Sequence, residues 1–371
     1  MTEENLKEPV HINDMFHGLV QDTRGDLICV GCAYSHDGSD GVVVRYNRDM
    51  RAITRRHYCV PNIVCLQDAS IGKDGTIFCA GKLVSDVSSG GNGIVLKLGA
   101  DLKIITKRKY SNVGNNGFYG IAAAESNNVI GVGYTGYKVG CNTIIDSLMV
   151  KFDADLNIVK YKHHGCSAGV ELLQSVQFIS EEHSICVGCS KIIKNVKHIH
   201  SSALVLSLDS NLEVTQYHLC TYADSSFYGC TIDNNGDIVC VGQVVVDNVN
   251  HGLVVKYSHN LKPIIINYYT IESLEKINNV TVDDDNNIIC VGVTAHNDDR
   301  TYDSLIMKLD QSLDVIDYVL YKNDGKASRI NSVVYSDDRI FCAGHVRNTE
   351  AETSGILVKY SRDLTLCGTI L

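Results

Sequence analysis

Seven times along this chain a hydrophobic run closes on a glycine that follows Cys-x, or Gly-x in one instance. The glycines are Gly31, Gly81, Gly133, Gly188, Gly242, Gly292 and Gly344, separated by 50, 52, 55, 54, 50 and 52 residues. A second apolar run carrying Lys or Arg follows six of them, with Ser207 in the remaining unit. Units of this period that fill nearly all of the 371 residues make a solenoid, a propeller or an array. Length alone suggests two or three domains. No composition break or low-complexity linker separates the units, and the three prolines (9, 61 and 263) mark no Pro-rich linker.

The third unit shows the plan. Phe118–Ala124 is a short apolar strand, Glu125–Asn128 a polar hairpin turn, and Val129–Gly133 a second strand. A variable loop through Asp146 leads to a third strand, Leu148–Phe152. A turn at Asp153–Asp155 then leads to a fourth, Leu156–His164. Apolar runs bounded by Asn, Asp and Gly clusters are the strand signal. From the third-strand cation, or its equivalent, to a fourth-strand apolar residue is always five positions: Arg45 to Met50, Lys97 to Leu102, Lys151 to Leu156, Ser207 to Leu212, Lys256 to Leu261, Lys308 to Leu313 and Lys359 to Leu364. The interval from glycine to cation ranges instead from 14 to 19. Length varies where a loop belongs and stays fixed across a tight turn. Runs such as Ile238-Val-Cys-Val and Leu253-Val-Val are apolar throughout, as strands buried on both faces are. A propeller sandwiches each blade between two others and leaves only short edges. An open β-solenoid is the structural rival, with terminal faces that need caps.

The pattern Phe-x-Gly-Ile, Gly-Asp-Ile-x-x-Val-Gly, Asp-x-Leu-x-x-Lys-x-Asp-x-x-Leu resembles the repeats of seven-bladed β-propellers, bacterial β-propeller-repeat and NHL-like units in particular. The resemblance spans roughly residues 15–371. It implies an all-β fold, a seven-bladed β-propeller of four-stranded antiparallel blades, with the Phe118-type strand innermost and the Leu156-type strand outermost. The chain has no tryptophan and therefore no WD dipeptide, and it lacks the Gly-Gly pattern of kelch blades. Residues 1–14 are expected to be an N-terminal extension, with 8–12 a candidate edge strand at the seam of the ring. The blades are expected at about 15–58, 59–110, 111–164, 165–220, 221–269, 270–321 and 322–371.

A formal net charge of −10 argues against a nucleic-acid footprint, and no apolar run reaches the ~18 residues of a membrane span. The acidic, polar start Met1–Glu8 lacks the pattern of a secretory signal. Fifteen cysteines, mostly inside apolar strands, fit reduced and buried thiols. A cytoplasmic location is therefore expected. The basic stretch Lys191, Lys194, Lys197, His198 and His200 reads as a solvated loop, with an anion site as its sharper alternative.

The most suggestive column starts the innermost strand. One residue past each unit's apolar anchor stand His17, Gln67, Tyr119, Gln174, Tyr228, Asn278 and Asn331, all able to hydrogen-bond. The next residues are mostly small: Gly18, Asp68, Gly120, Ser175, Gly229, Asn279 and Ser332. In a ring these surround the channel mouth. That is either a ligand site or a hydrated channel whose groups satisfy one another.

Other constellations have structural readings. Cys29-Val-Gly-Cys32 and Cys186-Val-Gly-Cys189 are spaced as zinc pairs are, but they belong to distant units, and positions three apart on a strand face opposite ways. No metal and no cofactor is expected. The Arg45, Lys97, Lys151, Lys256, Lys308 and Lys359 column reads as aliphatic stems whose charges meet exposed turn carboxylates such as Asp153, Asp155 and Asp310. Asp283-Asp-Asp285 reads as a solvated turn, Asp298-Asp299 as loop, and His163 and His164 as surface residues. No nucleophile motif, phosphate loop or HExxH is present.

The function expected is a non-enzymatic binding scaffold, with no catalytic residues, that recognises a partner through the channel-mouth ring and the variable loops. A protein partner is expected; a small molecule or glycan is the alternative. Tyr134, Tyr137, Lys194 and His198, in the longest loops, are the expected contact sector. A glycan-binding propeller would use Tyr119, Tyr228, Asn278 and Gln174. A hydrolase or lyase would use His17 as base near Asp68, with Tyr119 or Tyr228 as acid.

Overall fold

A computed structural model describes residues 13–35, 38–58, 64–84, 91–112, 114–139, 142–165, 169–195, 198–221, 223–295, 302–323, 326–349 and 352–371. The proposed edge strand at 8–12 lies outside them. Twenty-eight strands, β1–β28 in chain order, and one 3-10 turn, Ile271–Ser273, make up the regular structure. The first set, β1 (Asn13–Gln21), β2 (Leu27–Ser35), β3 (Gly38–Tyr46) and β4 (Ala52–Tyr58), pairs antiparallel in that order. The arrangement recurs along the chain. Five sets stand as separate four-stranded sheets, and the eight strands from Asn115 to Cys220 form one sheet of two fours, joined by a single parallel bridge between Ile145 and Val170. This is the expected all-β propeller of antiparallel blades.

The strands of each set are hydrophobic because both faces are covered. Ile28, Val30 and Val43 share one cluster with Leu66, Ile77, Leu96 and Leu98 of the next set, so packing runs between blades. The last set packs on the first in the same way: Phe341, Ala343 and Leu357 join Phe16, Leu27 and Val42. Val, Ile and Leu stacked in this manner contribute roughly 1.5–3 kcal/mol per buried side chain. The outer strands look different because one face is wet, as Ile53, Val159, Tyr217 and Ile316 show by their exposure.

The apolar residues at the third-to-fourth turn are not on the fourth strand as expected. Met50, Leu102, Leu156, Leu212, Leu261, Leu313 and Leu364 all lie in the turn itself, with φ between 55° and 66°. Left-handed backbone costs a non-glycine residue roughly 1–2 kcal/mol. Each of these side chains is nevertheless buried, and burial of a leucine at roughly 1.5–3 kcal/mol outweighs that cost.

The cation column also differs from expectation. Three of its charges, on Arg45, Lys256 and Lys308, are covered, and they meet carboxylates of the first-to-second hairpin. Lys256 Nζ lies 2.8 Å from Asp233 Oδ2, Lys308 Nζ lies 2.9 Å from Asp283 Oδ2, and Arg45 pairs with Asp22. Asp283 is therefore a buried ion-pair member, not part of a solvated turn. Its Oδ1 accepts the amides of Asp285 and Asn287, which shapes the hairpin. Where the carboxylate is missing, the lysine reaches the next blade's turn: Lys97 donates to the Ala154 carbonyl and Lys151 to that of Ser210, both at 2.8 Å.

Candidate functional site

Every inner strand carries a bulge at the same repeat position, and Gly169–Ser180 and Leu274–Val282 carry a second one elsewhere. Between β1 and β2, Phe16 pairs with Gly31 and Gly18 with Val30, which leaves His17 unpaired. The same shift leaves out Gln67, Tyr119, Gln174, Tyr228, Asn278 and Asn331. A bulge re-aims a side chain and bends its strand. Here seven of them point one polar group per blade into a common opening.

The repeated glycine is the other half of that device. A Cβ on Gly31 would stand 1.9 Å from the Met15 carbonyl oxygen, and one on Gly188 would stand 2.0 Å from that of Leu172. The bulge pushes the inner strand's backbone into the space a side chain would occupy. Sequence and site are thereby linked, since the residue that makes the repeat visible also permits the bulge.

The seven bulged residues, together with Asp68, line a single cavity of about 260 Å³. Asp68, Ser175 and Asn279 also line a second cavity of about 400 Å³ beyond it, so the small-residue column forms a waist between two chambers. The waist is tight: a Cβ on Gly120 would come within 2.9 Å of Ser175 Cα. It is also cross-linked. Asp68 Oδ1 accepts the Ala69 amide, and its Oδ2 accepts the Ile121 amide of the next blade. The Ser332 hydroxyl oxygen accepts the Leu19 amide across the seam. Asp68 keeps some surface towards the channel, yet burial pushes its carboxyl up to about 7 against the pull of the two amides.

Two cations that the ring column alone does not reveal stand in the mouth. Lys276 and Arg329 line the same cavity, two residues before Asn278 and Asn331. Lys276 Nζ lies 5.4 Å from the centre of the Tyr228 ring. Burial, helped by Arg329, lowers its ammonium to about 8. Among the described residues neither cation makes a salt bridge, and Arg329 Nε is buried without a hydrogen-bond partner. The residue after the last repeat glycine stands beside the ring as well. His345 Nδ1 lies 3.5 Å from Asn331 Nδ2, and burial, with His17 and the nearby arginines, lowers its imidazole to about 3, so it is neutral. Burial raises the Tyr119 and Tyr228 phenols to about 12.

His17 faces sulfur. Its Nε2 lies 3.3 Å from Cys32 Sγ, while both Asp68 oxygens are engaged by backbone amides. A hydrogen bond from Cys65 lowers the Cys32 thiol, with His17 helping, and the same bond raises Cys65. The two C-x-x-C pairs stay apart, on the second strands of two different blades, and Cys29 and Cys186 are fully covered.

The expected contact sector changes character. Residues 134–139 and 142–146 continue strands Val129–Val139 and Asn142–Phe152, paired out to Val139 and Asn142. Strands His183–Asn195 and His198–Asp209 likewise pair out to Asn195 and His198. These are long hairpins, not loops. Tyr134 is buried, 9% exposed, with its ring centre 5.5 Å from that of Tyr119, so it backs the mouth and is no exposed anchor. The Tyr137 hydroxyl donates to Asp146 Oδ2 at 2.8 Å. The side chains of Lys194 and His198, like Lys197, lie outside the described residues. His200 is exposed, 3.5 Å from Asp224. His163 and His164 end an outer strand, bonded to the Tyr110 hydroxyl and to Glu171.

No protein-family description matches this chain, and no curated protein matches it in sequence. Solved structures do. The polysaccharide lyase Uly1 is similar at a TM-score of 0.57 and 9% identity, over 97% of this chain and 91% of that one. Sqt1 from Chaetomium thermophilum is similar at 0.52 and 8%, over 97% and 87%. The β-propeller domain of the Trilobed protease from Pyrococcus furiosus gives 0.49 and 11%, over 93% of each chain. Likenesses at these identities are of fold alone.

Proposed function

We propose that this chain is a non-enzymatic, seven-bladed propeller scaffold that takes an anionic group of its partner into the channel mouth. The observation that carries the reading is the pair Lys276 and Arg329. Two cations lie in one cavity with no salt bridge to either among the described residues; Glu275, the carboxylate that acts on Lys276, attracts it only at a distance, and Asp68 is held by backbone amides. A half-buried cation without a salt-bridge partner is costly, and an incoming carboxylate relieves that cost through charge-assisted hydrogen bonds. The amides of Gln67, Gln174, Asn278 and Asn331 supply further donors around it. An acidic side chain or a C-terminal carboxylate of a protein partner fits this chemistry. The rigid blades hold the ring in place, and the long hairpins of the third and fourth blades offer a wall beside it. The ring is placed at about residues 15–371, divided into blades as the repeat divides it. Buried free thiols support a reducing, cytoplasmic setting.

An acidic glycan is the second reading. Its stacking groups are less free than the sequence suggests, because the Tyr228 face is occupied by Lys276 and Tyr119 packs on Tyr134.

The test is a binding screen with acidic peptides, the same peptides as carboxamides, and uronate-containing oligosaccharides. Peptide binding that is lost both in the carboxamides and in Lys276→Gln with Arg329→Gln supports the proposal. Binding of oligosaccharides alone moves the assignment to the glycan. Peptide binding that survives both changes removes the mouth as its site.

A further inference from the structure

We propose that His17, Cys32 and Cys65 form a three-ligand site for a thiophilic divalent cation, Zn²⁺, at the boundary between the first two blades. The donor atoms of the three side chains lie within 4.8 Å of one another, and His17 Nε2 is 3.3 Å from Cys32 Sγ. Zinc binds imidazole nitrogen at ~2.0–2.1 Å and thiolate at ~2.3 Å, so tetrahedral ligands stand roughly 3.5–3.8 Å apart. The trio needs only a small adjustment to reach that spacing, His17 and Cys32 moving slightly apart and the wider contacts closing. One nitrogen and two sulfurs are the donors that select zinc over magnesium or calcium, which take oxygen.

The surroundings are those of a site whose ligands are held. Gln67 Nε2 donates to Cys65 Sγ at 2.9 Å, and the Tyr34 hydroxyl is 3.4 Å from Cys32 Sγ. Groups in such positions orient metal ligands and account for much of a site's affinity. Cys32 is fully covered and Cys65 nearly so, whereas His17 lines the mouth cavity. Three protein donors leave a fourth position for water or an incoming ligand, the pattern of an open zinc site. The C-x-x-C spacing points elsewhere. Cys29 faces the blade core, and Cys65, on the next blade, takes the place a C-x-x-C reading would give it. The inference stands on these three side chains and does not depend on the anion-binding reading of the mouth.

The intact chain is purified under reducing conditions, stripped with a chelator, and titrated with Zn²⁺ and with Co²⁺ as a spectroscopic substitute. Expected are a single tight equivalent of zinc, a sulfur-to-cobalt charge-transfer band, and a rise in the unfolding midpoint with zinc. Cys65→Ser and His17→Gln should each weaken binding by roughly 100-fold or more, beyond the loss typical of an orienting neighbour. Cys367→Ser, at an exposed thiol, should leave it unchanged. His17 is half-exposed, so its variant keeps the test open should Cys65→Ser fold poorly. The proposal is overturned if the reduced chain retains no stoichiometric zinc, or if zinc binds equally to both variants. It is equally overturned if Cys32 and Cys65 are recovered as a disulfide that resists reduction and takes up no ion.

Discussion

The Asn331 side-chain amide donates to the Phe16 carbonyl, 315 residues earlier in the chain, at 2.7 Å, and fastens the last blade to the first. Asn278 makes the same bond to the Ile330 carbonyl at 2.8 Å, between blades that follow one another. The two are equivalent in geometry and differ only in what they close. Removing either donor leaves a carbonyl inside the ring without its partner, which costs about 1–2 kcal/mol. Asn331→Ala and Asn278→Ala should therefore lower the urea midpoint by similar amounts at unchanged m-value. A midpoint unmoved by Asn331→Ala alone would show that the seam is held by apolar packing rather than by this bond.

The glycines that mark the repeat should tolerate substitution very differently from glycines in open turns. A Cβ on Gly188 would collide with the backbone oxygen of Leu172 at 2.0 Å, and backbone cannot yield as a flexible side chain can. Gly236 has φ of +82° and nothing within 4 Å of where its Cβ would stand. Gly236→Ala should cost about 1–2 kcal/mol, the strain of left-handed backbone alone. Gly188→Ala should cost more than about 3 kcal/mol, because the bulge must shift. Denaturation curves of the two variants check the contrast. Equal costs would mean that the bulge is not what the repeat glycine serves.

That contrast bears on what could be read from the chain before its structure. The repeat glycines and the polar column beside them were legible together because bulge and glycine are one device, repeated at a fixed offset. Lys276, Arg329 and Cys65 do not stand out in the sequence, and Cys32 does so only as half of a C-x-x-C pair, although their signal is present. The residues two before the ring column are Met15, Cys65, Gly117, Leu172, Ser226, Lys276 and Arg329, and those after the repeat glycine are Cys32, Lys82, Tyr134, Cys189, Gln243, Val293 and His345. These columns pair with each other across the two inner strands, Met15 with Cys32 and Arg329 with His345. Because each column mixes apolar with charged residues, neither looks like a site until the structure places Lys276 and Arg329 in the lining of the mouth. The long hairpins look like loops in sequence for a related reason: Lys, His, Ser, Thr, Gly and Asn interrupt their apolar residues, while main-chain pairing carries the strands out to Val139 and Asn195.

The buried pair of Lys256 and Asp233 should behave as a structural staple. Its side chains are 6% and 1% exposed. Burial disfavours the Asp233 charge, but the hydrogen bond from Lys256 and the amides of Asp237 and Asn235 hold its carboxyl below the usual range. Lys256→Met leaves that carboxylate covered and unpaired. The pair lies close beneath the surface, so the loss should fall at the lower end of the ~3–5 kcal/mol seen when a buried pair is broken. The pH dependence has a definite sign. A carboxyl depressed in the folded state stabilises above its unfolded value, near 3.8, and that contribution vanishes as pH falls through the folded value. Wild type should thus lose stability below about pH 4 more steeply than Lys256→Met with Asp233→Leu. Parallel pH profiles would show that solvent already screens the pair.

The mouth should bind an anion more weakly as pH rises through about 8, where burial places the Lys276 ammonium. Below that pH Lys276 is cationic beside Arg329; above it one of the two charges is lost. Of the other groups of the mouth, His345 is held near 3 and the phenols of Tyr119 and Tyr228 near 12, whereas Asp68, pushed up to about 7, gains its charge at the lower end of this range and adds to the loss of affinity. Folding carries the linked sign. Between about 8 and the ordinary lysine value of 10.5 the folded chain binds fewer protons than the unfolded one, so stability contributed here rises with pH while affinity falls. A charge-assisted hydrogen bond is worth about 1.5–3 kcal/mol, so affinity for an acidic peptide should drop about tenfold or more from pH 7 to pH 9.5. Calorimetric titration at constant ionic strength measures this directly. Lys276→Gln should remove the fall near pH 8 and leave only the smaller one due to Asp68 near pH 7. A wild-type profile that is itself flat would place the anion elsewhere than on Lys276.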